Sequence, residues 1–86
     1  MSETLKHLQK RARELARSGK FSSWRAVAFE LQFEPNLREI FKWLHDAAVE
    51  DAYQWLHSPE TKDELDCLCY DARQARRIPK LLGTPH

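Results

Sequence analysis

Apolar residues recur along this chain with the period of an α-helix, and they do so in blocks separated by turn-forming residues. In the first block, Leu5, Leu8, Ala12, Leu15 and Ala16 fall within one sector of about 100° when plotted at 100° per residue. Ser2 is placed to cap that helix, and Gly19 can supply the left-handed residue that ends it. Ser22 or Ser23 then begins a second, shorter helix, with Phe21 placed to staple its first turn and Pro35 forcing a stop. Its Trp24, Val27, Ala28 and Leu31 make one apolar face, while Ala26, Phe29 and Phe33 point to the other side. A helix apolar on both sides is either central in a bundle or leaves aromatics for a partner, and central burial is the simpler expectation.

Pro35 suits the first turn of a third helix, in which Leu37, Ile40, Phe41 and Leu44 follow the i, i+3, i+4, i+7 spacing. Val49, Ala52, Tyr53 and Leu56 repeat the same spacing, but on a straight helix the two quartets face directions about 120° apart. A break or kink near His45 and Asp46 is therefore expected, with Asp46 as a second N-cap. Ser58, Pro59 and Glu60 form a strong helix start: a serine cap, a proline at the first helical position and an acid in the first turn. From there Thr61, Leu65, Leu68, Cys69, Ala72 and Ala75 line one face, and Arg73, Arg76 and Arg77 suit the C-terminal end of the helix dipole. The expected fold is all-α, a compact bundle of four to five short helices formed by residues 1–79, followed by a C-terminal tail at 80–86.

Length and composition narrow the function more than they identify it. At 86 residues the chain is one domain, with a core stabilised by about 4 to 13 kcal/mol. Charged residues at 31% and hydrophobic residues at 42% rule out a disordered chain, and the chain has no apolar run of about 18 residues or signal-peptide stretch. The expectation is a cytoplasmic protein without membrane contact. Cys67 and Cys69 point about 200° apart on a helix and are too close in sequence to staple a domain, so free thiols are expected.

Neither metal nor catalytic chemistry has a motif here. Cys67 and Cys69 aim apart, and His7, His45, His57 and His86 are scattered singly, so no zinc template is met. Local pairs such as His45 with Asp46 or Glu50, and His57 with Glu60, occur on any soluble helical protein, and no phosphate loop or nucleophile elbow accompanies them. The expected protein is not an enzyme, takes no cofactor and has no small-molecule substrate.

Charge is segregated behind a net value of +1. Residues 1–27 hold seven Lys/Arg against two Asp/Glu (+5), residues 28–71 three against eleven (−8), and residues 72–86 four against none (+4). Either the basic ends neutralise the acidic middle, which is the simpler expectation, or they face an anionic partner. The candidate anionic-partner residues are a stripe of Lys6, Lys10, Arg13 and Arg17 on the first helix, about 16 Å long, together with Arg25, Arg73 and Arg77. A helix-turn-helix reading of Trp24 to Leu44 is weak, because its turn lacks glycine and its reading helix carries Arg38 and Lys42 beside Glu34 and Glu39.

Protein binding is the leading expectation, either to a partner protein or by self-association in a regulatory role, with nucleic-acid binding through the basic stripe as the alternative. Its positive support is a surplus of large aromatics off the main helical stripes: Phe29, Phe33, Trp43, Trp55 and Tyr70. Such residues are the ones interface cores use.

Overall fold

A computed structural model describes residues 3–42 and 47–77, with side chains as far as Ala75. The described chain is all-helical, as the periodicity predicts. Ser2, Trp43, Leu44, His45, Asp46, Arg76, Arg77 and the tail 80–86 were each assigned a role above, and these lie outside what the structure describes, Arg76 and Arg77 through their side chains alone.

Helix α1 spans Glu3–Arg17 and buries Leu5, Leu8, Ala12 and Ala16, with Leu15 half-buried at the margin. Gly19 at φ 79° takes the left-handed turn that ends it, a conformation that costs any residue with a Cβ. Helix α2 (Trp24–Leu31) buries Val27 and Leu31 against the core. Residues Pro35–Phe41, expected as an α-helix, instead form a 3-10 helix. With three residues per turn, a 3-10 helix aligns residues i and i+3. Leu37 and Ile40 therefore project together into the core, at 0% and 1% exposure. The expected break also comes earlier than His45, because Lys42 is already extended at ψ 152°. A single 3-10 turn, Ala47–Val49, leads into α3 (Glu50–His57), which buries Ala52 and Leu56.

Helix α4 covers Pro59–Arg77, and its start follows the sequence signals. The Ser58 hydroxyl accepts the Thr61 backbone N–H at 3.2 Å and lies 2.8 Å from the Thr61 hydroxyl. That pairing lets Thr61 sit in the core at 2% exposure without an orphaned polar group. Leu65 and Cys69 continue the buried face, but Leu68 and Ala72 are only half-buried and Ala75 is exposed. The apolar face predicted for this helix thus outruns the bundle it packs on. Helix α1 touches all three other α-helices, and its largest contact is with α4.

Candidate functional site

The first set of candidate residues was the basic stripe of α1, and the structure removes one member from it. The Arg13 guanidinium donates to both oxygens of Glu64 on α4, at 2.6 and 3.2 Å. It also lies over the Trp55 ring of α3, 5.5 Å from the centroid. Paired with Arg13, the Glu64 carboxyl titrates below its ordinary range, because the hydrogen bond favours its charged form. Arg13 and Trp55 are therefore parts of the scaffold. Trp55 was expected to serve an interface, yet it packs half-buried against the core. Lys6, Lys10 and Arg17 remain exposed, and none of them forms an ion pair with a described residue. Internal neutralisation accounts for part of the charge segregation: Arg11 also bridges Glu14 and Glu34, at 2.7 and 3.2 Å.

The aromatic candidates fare differently. Phe29 is 62% exposed, Phe33 59% and Tyr70 64%, so the simpler expectation of central burial for α2 is overturned. The reason is geometric: α1 and α4 cover the Val27 and Leu31 side, and among the described elements nothing lies over the opposite side. Phe29 and Phe33 meet edge to face, with centroids 5.4 Å apart at 78°. With about 60% of three aromatic surfaces of ~150–250 Å² each left open, the exposed aromatic area is about 300 to 450 Å². Patches of that size on a monomer commonly mark an interaction site.

Three grooves lie along α2 and α4, the first lined by Phe29 and the second by Tyr70. An open groove of about 440 Å³ runs along the outer side of α2, between Phe21, Ala26 and Phe29, with Arg25 and Glu30 at its sides. A second, of about 220 Å³, lies between Ser22 and the Tyr70, Arg73 and Gln74 side chains of α4. The two share the wall made by Ser22. The third, of about 310 Å³, places Arg25 beside Lys62, Trp24 and Asp66. Arg25 and Arg73, which the charge pattern assigned to an anionic partner, thus border the same surface as Phe29 and Tyr70. Phe21, Ala26 and Glu30 complete it. The helical period already placed Ala26 beside Phe29 and Phe33, but it gave no sign of Phe21, which reads as a staple, or of Glu30.

Trp24 anchors the inner edge of this surface. Its indole N–H donates to the Leu56 carbonyl at 2.9 Å, and its ring packs beneath Lys62 and against His57, at 4.7 and 5.7 Å between centres. His57 stays open to solvent on one side but packs on Tyr53, 4.5 Å between centroids. Desolvation, and then the nearby Lys62 charge, pull its pKa below the ordinary 6.5.

The lining of this surface is aromatic faces, guanidinium groups, a carboxylate and hydroxyls, which suits recognition. Among the described residues, no cluster of three or more His, Cys, Asp or Glu could hold a metal ion, and no helix is long and apolar enough to cross a membrane. No known protein family, curated protein or solved structure matches the chain.

Proposed function

We propose that this is a small non-catalytic helical module that acts by protein–protein interaction in a regulatory role, through the outer face of α2 and the adjoining Tyr70. One observation carries the reading: Phe29 on α2 and Phe33 just past its end stand paired and exposed, while the opposite face of the helix is core. Large exposed aromatics ringed by polar groups are what interface centres are built from. A cytoplasmic setting is supported by the two free thiols, exposed Cys67 and buried Cys69.

The test is a pull-down from the source cell with the wild-type chain and a Phe29→Ala/Phe33→Ala variant, each with and without nuclease. Proteins that survive nuclease and are lost with the variant support the reading. Proteins retained equally by both chains count against it.

A nucleic-acid reading is favoured by one observation, the three exposed cations Lys6, Lys10 and Arg17 on one edge of α1. If it is correct, binding to duplex DNA weakens with salt with a log–log slope of about −0.9 per phosphate contacted, and reversing Lys10 and Arg17 abolishes it. Binding that ignores salt removes this reading.

A further inference from the structure

The outer face of α2 has the pattern of a short parallel helix pair, and we infer that a second copy of this chain docks there, α2 against α2 about a two-fold axis. The inference rests on the protein-binding reading above and names the partner.

The argument begins with spacing. Ala26, Phe29 and Phe33 follow one another at intervals of three and four, the apolar seam of a heptad repeat, with Arg25 and Glu30 as the flanking positions. Phe33 lies just past the end of the helix, but Gln32 is still helical at φ −64° and ψ −17°, and the Phe33 N–H donates to the Glu30 carbonyl at 3.1 Å. The seam therefore continues to Phe33. Arg25 is exposed and Glu30 half-buried, and neither forms an ion pair with a described residue.

Charge selects the partner and its direction. When two α2 helices pair in parallel, the Arg25 flank of one copy faces the Glu30 flank of the other. Their offset of five residues, about 7.5 Å along the axis, is within the reach of an arginine and is the spacing of flanking ion pairs in parallel coiled coils. An antiparallel pair would place Arg25 on the same side as the other Arg25, and Glu30 on the same side as the other Glu30. The parallel arrangement satisfies both charges twice while the four phenylalanines cover one another.

The size of the contact sets its strength. With Phe29 and Phe33 each about 60% open, the two rings expose about 180 to 300 Å² on each copy, so the pair buries on the order of 360 to 600 Å² from its phenylalanines, well below the ~1,600 Å² of a standard stable interface. The dimer is a concentration-dependent one.

Sedimentation velocity of the purified chain from about 10 μM to 1 mM, a range that reports weak association, tests this. The expected result is a reversible monomer–dimer equilibrium. Arg25→Glu alone and Glu30→Arg alone should each weaken it at least about tenfold, by turning two attractions into repulsions. The double variant should restore it to near the wild-type value. Thermal melts of all three variants should match the wild type, because the altered groups hold nothing inside the fold. A chain that stays monomeric throughout overturns the dimer and leaves the protein-binding reading to its own pull-down. A dimer indifferent to both charge reversals uses another face, and overturns it equally.

Discussion

Asp66 and Trp24 lie 42 positions apart, yet the Asp66 carboxylate accepts the Trp24 backbone N–H at 2.6 Å. Ser23 occupies the capping position of α2 in extended conformation, but its side chain makes no capping bond. A carboxylate from α4 supplies the acceptor instead, and brings negative charge to the positive end of the α2 dipole. Replacing Asp66 with Ala should therefore destabilise the fold by about 1 kcal/mol, lowering the melting temperature by about 4 to 8 °C. Ser23→Ala should have little effect. Equal losses in both variants would show that the cap belongs to the serine.

Arg13 and Glu64 join α1 to α4 at the bundle surface, with both side chains about one-third exposed. A pair that open to solvent is worth little on its own, and a double-mutant cycle with Arg13→Ala and Glu64→Ala should give a coupling of about 0.5 to 1 kcal/mol. Arg13 also lies over Trp55, so Arg13→Ala should cost more than Glu64→Ala. The cycle, run by urea denaturation, checks both statements.

Phe29 and Phe33 should tolerate truncation. Alanine at either position removes little buried surface and should change stability by less than ~1 kcal/mol. Leu31→Ala, on the opposite face of the same helix, should cost about 2 to 5 kcal/mol, a large share of what so small a domain possesses. Equal losses on the two faces would return the phenylalanines to the core.

His57 gives stability a pH dependence in the mildly acidic range. Its folded pKa is lowered below 6.5, so the unfolded chain binds the proton more readily. Stability is complete above about pH 6.5, falls as pH drops from there toward the folded pKa, and is flat below it. Glu64, also lowered, from 4.5, adds a separate loss only as pH falls below about 4.5. Melting temperatures between pH 5 and 7.5 should thus decline toward acid in the wild type, and Glu64 contributes nothing in that window. His57→Gln should flatten the decline.

The two cysteines should react unequally. Cys67 is exposed, whereas burial, helped by Asp66, pushes the Cys69 thiol up. A thiol reagent at neutral pH should modify one sulfur quickly in the native protein and the second only at the rate of unfolding.

What the sequence disclosed and what it concealed separate along one physical line. Burial on α1, the Gly19 stop and the Ser58 start depend on residues within a turn or two of each other, so spacing alone reveals them. The Arg13–Glu64 pair spans 51 positions and the Asp66 cap 42, and no local pattern encodes which distant acid meets which donor. The two-sided apolar character of α2 was legible. Which side faced inward was decided by how α1 and α4 pack. The choice of 3-10 over α at Pro35–Phe41 hung on aligning two side chains, Leu37 and Ile40, with a core whose shape only the assembled helices define.

The pairing of α1 with α4 joins the first described helix to the last, and this bears on how the protein is made. Until α4 has been synthesised, α1, with its apolar Leu8, Ala12 and Ala16, lacks its largest neighbour. At about 5 to 20 residues per second, the ribosome takes roughly 3 to 12 s to travel from Arg17 to Arg77. For that interval α1 is an amphipathic segment with an uncovered apolar face, open to chaperones and to aggregation. Packing of α1 is thus completed only when α4 has left the ribosome and is free to close over it.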